Sequence, residues 1–220
     1  MVELDRRKLG EFRSNMAREL QPVVKMSRRE GYALHPKAHK ALVKRAVPAS
    51  PGGKNSRNKP SQYAIQLREK QKVKRLYGLL ERQFRKLMDE AVRSKSRSGE
   101  QLLLFLEQRL DNVIYRSGLA VSRQAARQLV SHGHFELNDR RVDIPSIRVK
   151  LGDKIKLRER SKSKEYFKQI DDVSPSGQEN EATWLKVDRK KFEISVVGLP
   201  LRENVEPDIN EQLIVEYYSR

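Results

Sequence analysis

Residues 99–158 read GEQLLLFLEQRLDNVIYRSGLAVSRQAARQLVSHGHFELNDRRVDIPSIRVKLGDKIKLR, and this stretch decides the fold of the chain. Its first part has apolar residues at spacings of three and four, which predicts an amphipathic helix. The apolar positions are Leu102, Leu103, Leu106, Leu110, Val113 and Ile114. This helix is expected to end at Ser117-Gly118, because glycine readily takes the left-handed conformation at helix ends. Ser122 is placed to cap a second, shorter helix over Arg123–Ser131.

Apolar and polar residues then alternate, which is typical of strands that bury one face. The alternating apolar positions are Phe135, Leu137, Val142, Ile144, Ile155 and Leu157. Turn residues at Asn138-Asp139 and at Leu151-Gly152-Asp153 separate these segments, and Pro145 limits the pairing. The sequence therefore predicts a unit of two helices followed by a small antiparallel sheet.

A long helix is predicted upstream, over roughly residues 61–92, with Ser61 as its N-cap. Seven apolar residues give it one apolar face: Val73, Leu76, Tyr77, Leu80, Phe84, Leu87 and Met88. Five cations fall together on the roughly opposite face: Arg68, Lys72, Arg75, Arg82 and Lys86. Such a row is either a solvated surface stripe or a match for the phosphates along an RNA groove.

The charge balance of the chain points to a polyanionic partner. Lysine and arginine number 47 against 29 acidic residues, so the net charge is +18 and the pI about 10.2. Such a field attracts nucleic acid. A membrane surface is the rival partner, but no run of 18 apolar residues occurs, and no segment pairs a basic face with exposed aromatic residues.

The cations are concentrated in the front half, whereas residues 165–220 contain more acids than bases. No acid occurs between Gly31 and Arg68, and prolines and glycines at positions 48–53 and 60 oppose regular structure there. This segment is either a disordered basic linker or an arm that orders against phosphates. The complete absence of acids favours the arm.

Several classes of site are disfavoured by residue content. The chain has no cysteine, which excludes disulfides, thiolate zinc sites and cysteine nucleophiles. The pairs His132/His134 and His35/His39 have no third ligand nearby, so no metal or other cofactor is expected. No nucleophile–base pattern is evident, so the chain is expected not to be an enzyme. The start has no hydrophobic signal segment, which makes the cytoplasm the default location.

The motifs of residues 99–158 resemble the alpha-L RNA-binding motif, and the rest of the chain resembles bacterial small-subunit ribosomal protein number four. The alpha-L resemblance lies in Gly99-Glu100-x-Leu102, Leu106-Glu107-x-Arg109-Leu110-Asp111-Asn112-Val113, Tyr115-Arg116-x-Gly118, Ser122-Arg123-x-Ala125-x-Arg127-Gln128-Leu129-Val130-Ser131-His132 and Gly152-Asp153. The wider resemblance lies in Ser27-Arg28-Arg29-Glu30-Gly31, Lys59-Pro60-Ser61-x-Tyr63, Leu67-Arg68-Glu69-Lys70-Gln71-Lys72, Tyr77-Gly78-x-Leu80-Glu81-x-Gln83-Phe84-Arg85, Thr183-Trp184-Leu185-x-Val187-Asp188 and Asp208-Ile209-Asn210-Glu211-x-Leu213-Ile214-Val215-Glu216-x-Tyr218-Ser219-Arg220. It covers about residues 16–220, and this chain is a cysteine-free form, so the zinc site of some relatives is not expected.

The resemblance implies an α+β fold: a helical basic N-terminal domain with an irregular arm, then an alpha-L domain of two helices and a small antiparallel sheet. The expected segments are 1–15 (an extension or a misassigned start), 16–60 (the basic irregular arm), 61–98 (the long helix of the helical domain), 99–164 (the alpha-L RNA-binding domain) and 165–220 (an acidic region with strands that packs back on the first domain).

The resemblance also implies a structural role in the small ribosomal subunit: binding its RNA early, nucleating assembly of the 5′ domain and contributing to translational accuracy. The implied partners are small-subunit ribosomal RNA, the neighbouring small-subunit protein five and messenger RNA, with no membrane. The residues expected to contact RNA are Arg28, Arg29, Lys44, Arg45, Lys54, Arg57, Lys59, Ser61, Tyr63, Arg68, Lys72, Arg75, Arg116, Ser122, Arg123, Arg127 and Lys150. Arg123 and Arg127, with Arg116 at the preceding helix end and Arg148 and Lys150 near a strand turn, either form a cationic patch for phosphate or are unrelated surface cations.

Three alternatives share parts of this pattern. Arg109-Leu110-Asp111 matches a triplet that holds the catalytic aspartate of pseudouridine synthases, but no catalytic domain follows, and Asp111 is interpreted as structural. Ser161-Lys162-Ser163-Lys164 resembles a loop of tyrosyl-transfer-RNA synthetases, without the nucleotide-binding partner motif. A non-ribosomal regulatory RNA-binding protein or RNA chaperone, including one that represses its own messenger, would share every electrostatic feature.

Overall fold

A computed structural model of the chain describes residues 21–44, 60–94, 96–173 and 182–219. It confirms an α+β fold, with a helical domain followed by a domain of helices and antiparallel sheet. The helices are α1 (Val23–Glu30), α2 (Pro36–Lys44), α3 (Gln62–Leu76), α4 (Glu81–Arg93), α5 (Ser98–Glu107), α6 (Leu110–Arg116), α7 (Arg123–Ser131), α8 (Glu159–Lys162), α9 (Glu165–Lys168), α10 (Ile170–Val173), a 3₁₀ helix (Arg202–Asn204) and α11 (Glu211–Tyr218). In the ranges given above, no helix is both long and apolar enough to cross a bilayer.

The prediction of an irregular arm over residues 16–60 is wrong for residues 23–44, where the chain forms α1 and α2. α1 ends at Gly31, which takes the left-handed conformation at φ 65°. Met26 and Ala38 are buried, with 5% and 0% of their surfaces exposed, so each of these two short helices buries an apolar side chain despite its basic composition. Packing of α1 against α2 and α3 therefore orders a segment whose composition alone predicted an extended chain.

The prediction of a single long helix over roughly residues 61–92, within the segment 61–98, is also wrong, because the chain breaks there into α3 and α4. Ser61 caps α3 as predicted, accepting a hydrogen bond at Oγ from the Ala64 amide. Gly78 then turns the chain at φ 62°, and Leu79 is carried into the core with 1% of its surface exposed. The predicted row of cations is therefore divided between two helices, with Arg82 and Lys86 exposed on α4.

The helix predicted up to Ser117 likewise divides, into α5 and α6, at Gln108-Arg109. Arg109 is extended (φ −64°, ψ 137°) and pairs with Arg148 in an isolated β-bridge. The Gln108 carbonyl accepts from the Val149 amide at 2.9 Å, and the Leu110 amide donates to the Ile147 carbonyl at 2.8 Å. The apolar spacing runs through this break because both helices bury leucines, which is why periodicity alone did not reveal it.

The break marks the boundary between two hydrophobic cores. The helical core contains Val73, Leu76, Tyr77, Leu79, Phe84, Met88, Ala91, Leu102, Leu103, Leu106, Val205, Ile209 and Ile214. The sheet core contains Leu110, Val113, Ile114, Leu119, Ala120, Ala126, Val130, Phe135, Val149, Ile155, Leu157, Phe167, Ile170, Trp184, Leu185, Ile194 and Val196. The structure thus places the division near residue 108, whereas the sequence analysis placed it at residue 99.

The sheet has five antiparallel strands in the order β2-β1-β3-β5-β4. These are β1 (Phe135–Leu137), β2 (Arg140–Val142), β3 (Lys154–Leu157), β4 (Leu185–Asp188) and β5 (Glu193–Val196). β1 and β2 meet at Asn138 (φ 49°) and Asp139 (φ 63°), the tight turn that the sequence predicted. β1 pairs with β3 so that Phe135 lies opposite Leu157.

The C-terminal region is divided between the domains, which corrects the prediction that residues 165–220 pack back on the first domain. β5 pairs with β3, opposing Ile194 to Ile155, and so covers an edge that would otherwise leave backbone groups without partners. Only the chain after β5 returns to the helical core, where α11 packs on α3 and α5. Gly99 permits that approach, since a Cβ there would lie 2.9 Å from Cγ of Glu211.

Leu106→Ala and Leu110→Ala are expected to destabilise different domains although the two positions are close in sequence. Both side chains are fully buried, and each truncation should cost about 2–5 kcal/mol of unfolding free energy. Hydrogen exchange should show lost protection in α3–α5 and α11 for Leu106→Ala, and in β1, β3 and β5 for Leu110→Ala. The same set of amides losing protection in both variants would contradict two separate cores.

Candidate nucleic-acid interface

A groove of about 580 Å³ lies between the two domains. One wall comes from the helical domain, at the start of α2 and the Tyr77–Leu80 turn between α3 and α4. The other wall is the outer face of α7, together with the loop Asp143–Ser146. Because its two walls belong to different domains, the shape of the groove depends on how the domains are joined.

α7 presents a row of hydrogen-bonding side chains to the groove. Ser122 caps the helix as predicted, accepting from the Ala125 amide at 3.2 Å. Gln124, Gln128 and His132 are exposed and four residues apart, so they share one face. Amide, imidazole and guanidinium groups in such a row suit the phosphates and 2′-hydroxyls of RNA, which is recognised largely by shape.

Arg127 is held in place on this wall by bonds within the protein. Its Nε donates to Asp111 Oδ2 at 3.0 Å, and its Nη1 donates to the Gly78 carbonyl across the groove. A third of its side chain remains exposed. The guanidinium is therefore fixed at the groove with part of its surface open to a ligand.

Asp111 serves to orient arginines, in agreement with its interpretation as a structural residue. Arg109 binds it in bidentate fashion, with Nε donating to Oδ1 at 3.0 Å and Nη2 to Oδ2 at 2.8 Å. The Asn112 amide also donates to Oδ1, at 3.0 Å. With Arg127 on Oδ2, both carboxylate oxygens are occupied.

Four charged side chains join the domains behind the groove, and we call Glu107, Arg116, Arg123 and Glu206 the junction cluster. Glu107 and Arg116 are buried, and Arg123 and Glu206 are partly buried, with 12% and 16% of their side chains exposed. Arg116 donates from Nε and Nη2 to the two oxygens of Glu107 at 3.1 and 2.9 Å, and from Nη2 to Glu206 Oε2 at 2.9 Å. Arg123 donates from Nη2 to Glu206 Oε1 at 2.8 Å. Two cations and two anions thus neutralise one another in a site where an uncompensated charge would be costly.

Neutral side chains complete the contacts of this cluster. The Tyr77 hydroxyl donates to Glu107 Oε1 at 2.6 Å, and Arg123 Nε donates to Asn112 Oδ1 at 2.8 Å. The Arg123 guanidinium lies 4.8 Å from the ring centre of Tyr77 and 4.6 Å from that of Tyr115. Arg123 therefore contacts the helical domain, α6 and the C-terminal segment at once.

The pKa directions agree with a charged cluster at neutral pH. Burial alone would raise the pKa of Glu206, but Arg123 and Arg116 outweigh it and lower the pKa to about 2. Burial would lower the pKa of Arg116, yet Glu107 and Glu206 raise it overall. Burial, with the nearby Glu107 charge, raises the pKa of Tyr77, so its hydroxyl stays protonated and can donate.

The predicted cations of α3 also have partners within the chain. Arg68 and Arg75 both pair with Glu30 of α1, the former at 3.2 Å. Lys72 pairs with Glu69 at 2.8 Å and donates to the Asp208 carbonyl at 2.6 Å. Burial raises the pKa of Glu30 despite these arginines. These cations tie α3 to α1 and to the C-terminal segment, so they are less available to phosphates than an exposed stripe would be.

The structure brings Arg116, Arg123 and Arg127 together as predicted, but as paired rather than free cations. Arg148 lies elsewhere, since it donates to Glu90 at 2.7 Å and covers the Phe105 ring at 4.1 Å. Lys150 is exposed beside a turn held by Asp153. Contact with RNA stays a prediction for the three paired arginines and for Lys150. It also stays a prediction for Ser122, whose Oγ is already used to cap α7.

The remaining predicted contacts lie on other surfaces or outside the structure. Arg29, Lys44, Ser61 and Tyr63 are exposed, and Arg28 is half-buried. The Tyr63 ring lies 5.7 Å from that of Tyr217. Arg45, Lys54, Arg57 and Lys59 lie outside the described residues.

Sequence reasoning missed the acidic partners of these arginines. Glu107 and Arg109 occur in the alpha-L motif without an indicated role, and Glu206 occurs in no motif. Arg109 and Asp111 are only two residues apart, at the start of α6, so their proximity in the sequence offered a signal for that pair. The pairing of Glu206 with these arginines could not be predicted from the sequence, because Glu206 lies 90 residues from Arg116 and 83 from Arg123 in the chain.

His134, Ser161 and His35 form hydrogen bonds within the chain. His134 Nδ1 lies 2.9 Å from Oγ of the buried Ser161, and His35 Nδ1 accepts from the Lys37 amide at 3.1 Å. Burial lowers the pKa of His134 and of His35. Among the residues that the structure describes, no group of three or more His, Asp or Glu side chains is placed to hold a metal ion.

This architecture is that of a helical domain joined to an S4-type RNA-binding domain. Residues 18–107 match the family described as Ribosomal protein S4/S9 N-terminal domain, and residues 108–155 match the S4 domain. The boundary between the two matches coincides with the break between α5 and α6.

Relatives over most of the chain identify the family. Proteins named small ribosomal subunit protein uS4 match 93% of this chain and 100% of their own length. The identity is 48% with that of Chloroflexus aurantiacus, 46% with that of Herpetosiphon aurantiacus and 48% with that of Thermoanaerobacter pseudethanolicus. The chain belongs to the uS4 family of small ribosomal subunit proteins, which confirms the resemblance found in its motifs.

Proposed function

We propose that this chain is a structural protein of the small ribosomal subunit that binds the subunit's RNA through the interdomain groove. The observation that carries the proposal is the groove itself, whose α7 wall exposes Gln124, Arg127, Gln128 and His132. Family membership supports the ribosomal location. The net charge of +18 supports a polyanionic ligand.

The finer roles belong to the same proposal. Early binding would nucleate assembly of the 5′ domain, because a protein that clamps RNA between two domains can fix the relative position of RNA helices. The acidic C-terminal region would face the neighbouring small-subunit protein five, and messenger RNA would pass nearby, with effects on translational accuracy. The chain would act without catalysis, and Asp111 fits that role because both its oxygens are engaged by arginines and a backbone amide.

Chemical footprinting on naked small-subunit ribosomal RNA tests the proposal. Protection should be confined to a compact set of RNA helices in the 5′ domain, and sucrose-gradient fractionation should place the protein with small subunits in equimolar amount. Gln124→Ala with Gln128→Ala should reduce protection at nucleotides facing the groove, whereas Gln212→Ala, an exposed change on α11, should not. Diffuse protection together with migration outside the subunit fraction would instead indicate a regulatory RNA-binding protein or RNA chaperone.

A further inference from the structure

An acidic residue, Glu206, occupies the centre of the contact between the domains. It lies between the 3₁₀ helix and α11, and 16% of its side chain is exposed. Both carboxylate oxygens are used, one by Arg116 and the other by Arg123. The carboxylate therefore bridges two arginines that belong to α6 and α7 of the second domain.

Glu206 itself is anchored in the first domain. Its neighbours Val205 and Ile209 are buried in the helical core, with 4% and 3% of their surfaces exposed. The bonds from Glu206 to Arg116 and Arg123 thus run from one core to the elements of the other. Arg123 also contacts Tyr77, next to the turn that forms one wall of the groove.

We infer that Glu206 is a positioning residue for RNA binding, which sets the angle between the domains through Arg116 and Arg123. This inference rests on the proposed function and adds to it a role for an acid. An anionic side chain near a polyanion opposes binding by Coulomb repulsion, so its neutralisation would ordinarily strengthen binding. A positioning role predicts the opposite sign, because a groove with displaced walls makes fewer contacts.

The variant Glu206→Gln distinguishes the two expectations, because charge repulsion predicts stronger RNA binding and a positioning role predicts weaker RNA binding. Glutamine keeps the shape of the side chain but offers one oxygen, and its NH₂ group would face an arginine donor. Affinity for naked small-subunit ribosomal RNA should fall roughly tenfold, within the range of coupling between contacting groups. The dependence on salt should become shallower, since phosphate contacts from one wall are lost.

Glu203→Gln is the matched control. Glu203 is exposed, lies three residues away and carries the same charge, but it is outside the junction cluster. Its neutralisation should leave the affinity unchanged or slightly increased, with the same salt dependence. A loss equal to that of Glu206→Gln would overturn the inference, because general charge effects would then explain both.

Arg123→Lys provides a second test that keeps the cation. Lysine cannot reproduce the fork that reaches Asn112 and Glu206, so a positioning role predicts a loss similar to that of Glu206→Gln. If the affinity stays at the wild-type level, positive charge alone suffices at this position and the inference is wrong. Thermal unfolding of each variant measures whether it remains folded.

Domain geometry can be read directly because the chain has no cysteine. Spin labels at Asp89→Cys on α4 and Ser163→Cys after α8, both exposed positions, report the distance between domains. Glu206→Gln should broaden or shift the narrow distribution of the labelled parent, and Glu203→Gln should not. An unchanged distribution, or wild-type RNA affinity in Glu206→Gln, overturns the inference; a labelled parent that fails to bind the RNA overturns the proposed function instead.

Discussion

Raising monovalent salt from about 50 to about 200 mM is expected to weaken binding to naked small-subunit ribosomal RNA by about a thousandfold. A protein that makes about six phosphate contacts releases a similar number of condensed cations, and this release is opposed by salt. The net charge of +18 is ample for that number. Many arginines of the described residues are paired internally, so exposed cations such as Arg29, Lys44 and Lys150 should provide much of the effect.

Titration by fluorescence anisotropy at five salt concentrations measures this dependence, with magnesium held constant so that the RNA stays folded. Replacing Lys150 with Ala should lower the slope of log affinity against log salt by about one if it contacts a phosphate. A nonionic solute at matched osmolarity is the control and should leave affinity nearly unchanged. A salt response close to flat would contradict electrostatic binding.

Glu107→Ala is expected to lower the free energy of unfolding by about 3–5 kcal/mol, since it removes one member of a buried charge pair. The side chain of Glu107 is fully buried and accepts bonds from Tyr77, Asn112 and Arg116. Without it, Arg116 would keep Glu206 alone as an anionic partner, and Glu206 is shared with Arg123. The junction cluster would then carry a net positive charge in a buried site.

Urea unfolding followed by the fluorescence of Trp184, the only tryptophan of the chain and a buried one, measures this loss. Glu100→Ala on the same helix is the matched control. Glu100 pairs with Arg97, whose side chain is 85% exposed, so its removal should cost at most about 1 kcal/mol. Equal effects in the two variants would mean that the buried pair contributes no more than a surface pair.

The helices and turns that local chemistry dictates were predictable from the sequence. Ser61 and Ser122 cap helices because each serine is itself in an extended conformation, from which its hydroxyl reaches a free amide of the first turn. Asn138-Asp139 turns the chain between β1 and β2 because both residues tolerate positive φ. The breaks at Gly78 and at Gln108-Arg109 were missed because the apolar spacing continues on both sides of each.

The charge distribution was likewise predictable in part from the sequence and in part only from the fold. Composition established that the chain carries a large excess of cations and that the excess lies in its front half. Which cations face solvent depends on Glu30, Glu107, Asp111 and Glu206, acids that pair with arginines of other elements. A cationic patch inferred from helical spacing therefore became, on folding, a set of fixed and partly neutralised arginines.

The sequence by itself determined the family, the second domain's order of elements and the polyanionic character of the partner, because these follow from motifs, periodicity and charge that are local or additive. Only the tertiary structure decided where the cores divide, how the C-terminal strands and α11 are distributed between the domains, and which arginines remain available. The reason is that burial and ion pairing depend on which side chains meet in space, and residues such as Arg116 and Glu206 meet across 90 positions of chain.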